Sequence, residues 1–487
     1  MRSSGRRTTR DPWRATLRGQ IVPTGSTGSR LPSTTMPTSW SSWRMRRPTS
    51  SPTASAARSP APPGSSAPSL GRRERAGTSK ATIDHARPDA NPPTPDLRRI
   101  LVPVGVVAVY SASNFPFAFS VAGGDTASAL AAGCPVVIKA HPGHPRLSVA
   151  TAELMRETLA QAGAPDGLVG LVHGFDAGLA LVEHPLVRAA AFTGSLRGGR
   201  ALFDAASGRP DPIPFYGELG SVNPVFVTAG ADRTRAADLA EGLAGSFRMS
   251  RGQLCTKPGV VFVPRGARLI TELTTRIDGN GLGDLVTPAI TTGFAEAMRR
   301  RANDARVRLI AGAAQQPEVG AAATVHLTDV EAVNADPSLL DEVFGPTTLL
   351  VEYDDLDDAL SAAERLGGSL TATVHAQDGD LTPELVARLS DLAGRVLFEG
   401  WPTGVAVSAA QTHGGPWPAT NSLHSSVGTS AARRFLRPVT YQSAPEAVLP
   451  LELRDGNPLD VPQLVDQFRQ DRAATAGRRL DPKPRSS

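Results

Sequence analysis

Two cysteines in 487 residues exclude a disulfide-stapled scaffold and any multi-cysteine zinc or iron–sulfur centre. No uninterrupted apolar stretch reaches the roughly 18–20 residues that a membrane-spanning helix needs, so no membrane association is expected. Acidic residues are nearly absent from the first 80 positions, where only Asp11 and Glu74 stand against 14 Arg and one Lys. That segment carries a net +13 while the whole chain sums to +5, so the remaining residues are net negative. A basic nucleic-acid-binding body is thereby excluded, because the positive charge such binding needs is confined to the amino end. The length exceeds one ordinary domain and predicts two or three. These absences together indicate a soluble protein of a reducing compartment, expected in the cytoplasm.

Residues 1–80 also lack Phe, Tyr and Asn and consist largely of Arg, Ser, Thr, Pro and Gly. They show no helical or strand period, and too little apolar surface to offset the entropy of ordering, so disorder is expected. Two further readings stay open: a targeting leader, and a wrongly framed translation joined to a genuine gene product near Ala81. The abrupt change of composition at that point favours the frame artefact.

From residue 81 short apolar runs alternate with helical segments. Strands are predicted at Leu101–Tyr110, Pro135–Ala140, Leu168–His173 and Ala189–Thr193, and helices over 118–132, 146–162 and 200–206. After Asn223 the runs PVFV, GVVFV, TTLLVEY, TATVHA and RVLFEG alternate with helices over 231–247, 267–277, 294–305 and 356–366. Strands separated by helices of this length predict an α/β fold built on parallel sheets.

Five segments could carry chemistry, and each also has an ordinary reading. Cys255, in GQLCTKPG, stands at a loop junction where a thiolate can meet a ligand, yet a lone cysteine is more often a small buried apolar residue. Cys134 is expected to be such a packed, inert thiol. Glu218, in YGELGSVNP, lies between glycines and could serve as a general base or be a loop-surface acid. Asn114, in SNFP, follows a strand end and could donate to an oxyanion or simply form a turn. Gly194 and Ser195, in FTGSLRGG, pass from strand to helix, where backbone amides favour a pyrophosphate. Glu342, in DEVFGP, could bond a ribose or be an exposed acid.

The order SNFP, FTGS, ELGSVNP, GQLC, EVFGP resembles that of the aldehyde dehydrogenase superfamily over residues 81–445, with 37 residues from Glu218 to Cys255. The wording of SNFPFAFSVAGGDTASALAAGCPVVIKAHPGHP and PTGVAVSAAQTHGGPWPAT is most similar to the branch of α-ketoglutaric semialdehyde (2,5-dioxovalerate) dehydrogenases. The resemblance implies Cys255 as nucleophile, Glu218 as the base that activates water, and Asn114 as oxyanion donor. It implies Lys139 at the adenosine ribose, Gly194 and Ser195 at the pyrophosphate, Glu342 at the nicotinamide ribose, and Phe344 beside the nicotinamide ring. The implied reaction is NAD(P)-dependent oxidation of an aldehyde, with 2,5-dioxopentanoate the expected substrate. A fatty or sugar-derived aldehyde is the alternative.

Departures from the family pattern bear on these expectations. Many NAD-preferring relatives carry an acid three residues after the lysine, where this chain has Pro142, so NADP is expected to serve at least as well as NAD. His141, His144 and Arg146 could add positive charge there. Ser113 replaces a frequent Trp in the wall of the aldehyde tunnel. Residues 1–80 match none of the helices that relatives carry at the amino end, which leaves an impaired remnant as a competing reading. A CoA-acylating enzyme is disfavoured by Glu218, since an activated water would compete with the thiol. The implied organisation is an oligomerisation arm at 81–103, a dinucleotide-binding domain at 104–220 and a catalytic domain at 221–412. Residues 413–445 return to the cofactor domain and arm, and 446–487 form a tail that frays from Arg472. The arms imply a homodimer or homotetramer, with no nucleic acid or metal partner.

Overall fold

The computed structural model describes residues 80–317 and 320–466. The expectations for residues 1–79 and for the tail from Arg472 lie outside the described residues. The chain opens with β1 (Ala81–Asp84) and β2 (Leu97–Pro103). There follow β3 (Val106–Tyr110), α1 (Gly124–Ala131), β4 (Val136–Lys139), α2 (Pro145–Gln161) and β5 (Val169–Val172). Next come α3 (Phe175–Glu183), β6 (Val187–Thr193), α4 (Leu196–Ser207) and β7 (Phe215–Glu218).

These strands form a five-stranded parallel sheet in the order β5-β4-β3-β6-β7. Its strands are near-continuous apolar runs, as expected where helices cover both faces; Val107, Ala108, Val109, Ile138, Ala189, Ala190 and Ala191 are all buried. The chain builds outward from β3 to β5, then returns to the other side of β3 with β6. That reversal makes the carboxyl ends of β3 and β6 a topological switch point, where open α/β sheets hold ligands.

The second half contains β8 (Val225–Val227), α5 (Ala229–Arg248), β9 (Val260–Pro264), α6 (Arg268–Thr274) and α7 (Pro288–Ala302). It continues with β10 (Arg308–Gly312), β11 (Thr324–Asp329), α8 (Val330–Ala335), β12 (Thr347–Tyr353) and α9 (Leu356–Ala363). It ends with β13 (Ser369–His375), α10 (Pro383–Leu392) and β14 (Ala393–Phe398). The seven-stranded sheet has the order β10-β11-β12-β9-β8-β13-β14 and is parallel except for β10. Phe226 and Phe262 stack at its centre with ring centroids 5.0 Å apart.

A third sheet joins the two ends of the described chain. It adds β15 (Leu436–Gln442) and β16 (Gln463–Val465) in the order β15-β2-β1-β16.

Several boundaries differ from the sequence reading. The run Leu101–Tyr110 is two strands in two sheets, broken at Val104-Gly105, because Gly105 takes φ +122° and Arg188 fills the space beside it. The helix expected over 118–132 starts only at Gly124, because the chain first turns back on itself at Gly123, where a Cβ would strike the Ser120 amide at 2.6 Å. Residues 446–466 are not tail: Leu449, Leu453 and Val461 are buried, and Leu453 packs with Ala81, Ile83 and Ile100 under the third sheet. Large apolar side chains stand exposed on the cofactor-side helices and their connections, among them Leu154, Phe175 and Leu186. No helix among the described residues is long and apolar enough to cross a membrane.

Candidate active site

Cys255 reaches its place through a strained approach. After α5 the residues Ser250, Arg251 and Gly252 all take positive φ, which turns the chain sharply into Gln253-Leu254-Cys255. Gly252 is required there, because a Cβ would fall 2.1 Å from the carbonyl oxygen of Gly345. The Cys255 loop is thus pressed against the loop that carries Glu342 and Phe344. Buried Lys257 ties the same two loops, its Nζ donating to the carbonyls of Val343 (3.0 Å) and Thr347 (2.9 Å), and burial pushes its ammonium down.

Asn223 fixes the loop from below. Its Nδ2 donates to the carbonyls of Cys255 (2.8 Å) and Lys257 (2.9 Å), while its Oδ1 accepts from Ser221 Oγ and from Thr371 N and Oγ1. Asn114, four residues beyond the end of β3, donates through Nδ2 to the Gln253 carbonyl at 2.9 Å. An amide nitrogen has two hydrogens, so this bond holds the group in place and leaves one for a ligand.

Glu218, the last residue of β7, is buried and converges on the half-buried Cys255. Between them stands His413, which no motif in the sequence singles out. Its Nε2 is 3.0 Å from Glu218 Oε1 and 3.6 Å from Cys255 Sγ. Ser426 Oγ donates to the other carboxylate oxygen at 2.8 Å. Burial pushes the Glu218 carboxyl up, but the His413 charge and hydrogen bond, with Ser426 and Cys255, outweigh it and hold the group below its ordinary value. Burial likewise disfavours the His413 cation, and Glu218 reverses that, so the imidazole is raised. Each group thus favours the charged form of the other. Cys255 is pushed well above the usual thiol range by burial and by the Glu218 and Glu342 carboxylates, so it rests as a neutral thiol.

The expected cofactor residues gather on the switch-point side. Lys139 ends β4, and its Nζ lies 4.7 Å from the centre of the Phe175 ring with no hydrogen bond among the described residues. Burial lowers its ammonium. Gly194 follows the end of β6 and Ser195 caps α4, accepting from the Gly198 amide at 3.3 Å. Glu342 is exposed in the cleft and faces Gly220 so closely that a Cβ there would lie 3.0 Å from its Oε2, and Phe344 is half-buried in the same loop. The buried Ser111 Oγ, just past β3, has no partner among the described residues. An orphaned hydroxyl, an unbonded lysine and a helix start at the carboxyl ends of β3, β4 and β6 suit a dinucleotide.

His141 departs from expectation: burial and the Lys139 charge drive it down to about 4, so it is neutral and adds no positive charge. Cys134 is fully buried, its Sγ against the Phe435 carbonyl, with its thiol raised by burial. Glu218, Cys255 and His413 bring ligand atoms within 4.8 Å of one another.

The profile of the Aldehyde dehydrogenase family matches residues 81–419. The chain is 43% identical over 396 residues to the α-ketoglutaric semialdehyde dehydrogenase of Acinetobacter baylyi, covering 79% of this chain and 75% of that one. It has the same identity and coverage with α-ketoglutaric semialdehyde dehydrogenase 2 of Azospirillum brasilense. Among solved structures, the fold is similar to a variant of aldehyde dehydrogenase C of Pseudomonas syringae in complex with NAD+ and octanal. There the TM-score is 0.60 and the identity 24%, over 72% of this chain and 71% of that one. The chain therefore belongs to the aldehyde dehydrogenase family, the NAD(P)-dependent oxidoreductases that convert aldehydes to carboxylates.

Proposed function

We propose that the protein oxidises 2,5-dioxopentanoate to 2-oxoglutarate through a thioester on Cys255. The observation that carries this reading is the meeting of Cys255, His413 and Glu218 within hydrogen-bonding distances, with Asn114 fixed beside the same loop. The 43% identity to enzymes of that name supports the substrate.

The thiol proton passes to the His413–Glu218 pair, and Sγ adds to the aldehyde carbon. Asn114 Nδ2 and the Cys255 backbone N–H receive the oxyanion; one such donor contributes ~3–4 kcal/mol in other enzymes. When held here, a nicotinamide dinucleotide would supply the two-electron acceptor needed for a thioester to form. After releasing that first proton to solvent, the same pair takes a proton from water, which attacks the acyl carbon; the thiolate leaves and regains a proton from the new carboxylic acid, freeing the carboxylate. Splitting the oxidation in this way replaces one hard step by two easier ones.

Lys139 and Glu342 would hold the two riboses, Gly194 and Ser195 the pyrophosphate, and Phe344 the nicotinamide ring. NADP is the expected partner at least as well as NAD, since Pro142 leaves no carboxylate to repel a 2′-phosphate near an unbonded lysine. Product analysis with and without CoA tests the reaction. Free 2-oxoglutarate in one-to-one ratio with NADPH is expected in both cases, and an acyl-CoA product would refute hydrolysis.

A further inference from the structure

On the reading that the protein takes an anionic aldehyde, we propose that Arg395 receives the substrate's distal carboxylate and so selects charged aldehydes over neutral ones. Arg395 lies on β14, in register with Thr371 of the neighbouring parallel strand β13. Residues so paired place their side chains on one face of a sheet. Thr371 Oγ1 points to Asn223 Oδ1 at 3.0 Å, and Asn223 holds the Cys255 carbonyl. Arg395 thus shares a face with the support of the nucleophile. Its neighbour Gly394 meets Gly414 and Gly415 so closely that a Cβ would lie 2.2 Å from the Gly414 oxygen, which sets β14 against the segment bearing His413.

The guanidinium is half-buried and has no carboxylate partner among the described residues. Nη1 donates to the Gly404 carbonyl at 3.0 Å and Nη2 to the Pro402 carbonyl at 2.6 Å. Two of five N–H groups are used and the rest are available. Arg98 and Arg434 sit in the interior with Asp96, Asp455 and Asp125 against them, while buried Arg209 and Arg301, like Arg395, bond neutral groups. A half-buried cation without an anion is costly, and its charge acts on both Cys255 and His413. A carboxylate arriving with the aldehyde supplies the missing partner in a fork geometry that guanidinium matches.

The test compares kcat/KM for 2,5-dioxopentanoate and for pentanal in wild type, Arg395→Gln and Arg395→Lys, with a thermal melt of each. Gln keeps donors for the loop carbonyls and drops the charge; Lys keeps the charge. The expected result is a loss of about 10- to 100-fold on dioxopentanoate in Arg395→Gln, carried by KM, with pentanal changed less than about 3-fold and Lys in between. Glutarate should also inhibit wild-type pentanal oxidation competitively and fail to do so in Arg395→Gln. Equal losses on both aldehydes would make Arg395 a prop for the loop and overturn the proposal. If Arg395→Gln does not fold, absence of glutarate inhibition in wild type overturns it instead. A wild type that oxidises pentanal but no anionic aldehyde sinks the proposed substrate, a result distinct from a failure at Arg395.

Discussion

Cys255 rests protonated because its cleft withholds solvent and two carboxylates face it. Removing one of them should free the thiol even as it removes the base. In Glu218→Gln the rate of Cys255 alkylation by iodoacetamide at pH 8 should rise severalfold, while steady-state turnover falls by about 10²-fold or more. An alkylation rate unchanged from wild type would remove Glu218 from the thiol's surroundings. The sign of the pH dependence follows from the same groups. His413 keeps its proton to a higher pH than free imidazole, and Cys255 keeps its own higher still. Both must be lost for attack and hydrolysis, so kcat should climb from pH 6.5 into the alkaline range; a neutral optimum would contradict this. Asn114→Ala should cost about 10²–10³ in kcat with a smaller effect on KM. At this scale Cys255, Glu218 and Asn114 were legible as members of an ordered set of motifs. His413 was not, because it lies 158 residues from Cys255 as an isolated histidine before two glycines, and only the folded chain brings it to the thiol.

Loops between regular elements hold the site together, and their glycines mark where backbones touch. Gly252→Ala would force a Cβ into the Gly345 carbonyl at a residue already at φ +66°. The expected cost is ~1–3 kcal/mol in stability, with a fall in activity larger than that of Gly245→Ala, where nothing lies within 4 Å of a Cβ. Equal melting temperatures for the two variants would show that the Cys255 loop does not lean on the Glu342 loop. The alternation of strands and helices was visible in the sequence because parallel strands buried on both faces read as apolar runs. Helix α3 and strand β11 escaped it. Phe175–Glu183 is short and exposes Phe175 and Leu179, which blurs its period, and Thr324–Asp329 carries Thr and His at buried positions. The break at Gly105 was hidden because LVPVGVVAVY is apolar on both sides of a bend.

The described residues hold a five-stranded and a seven-stranded sheet, plus a third sheet whose outer strands, β15 and β16, have no neighbour on their far sides among those residues. An open edge of that kind pairs readily with another chain. We expect a dimer or tetramer by light scattering at micromolar concentration, and a monomer would deny the third sheet that role. Exposed Leu154, Phe175 and Leu186 each forgo ~1.5–3 kcal/mol of burial, a sizeable share of a stability of ~5–15 kcal/mol. Bound dinucleotide should offset part of this by mass action. NADP at about 100 times its Kd adds ~2.7 kcal/mol, so the melting temperature should rise by a few degrees with NADP and no more with equimolar NAD. A larger rise with NAD would reverse the expected preference.

The covalent step on Cys255 can be measured directly. Glu218→Gln, mixed with NADP and 2,5-dioxopentanoate and stopped within seconds, should show by peptide mass spectrometry one acyl group on Cys255, formed together with one equivalent of NADPH. Acylation elsewhere, or NADPH formed at the wild-type rate by Cys255→Ala, would contradict it.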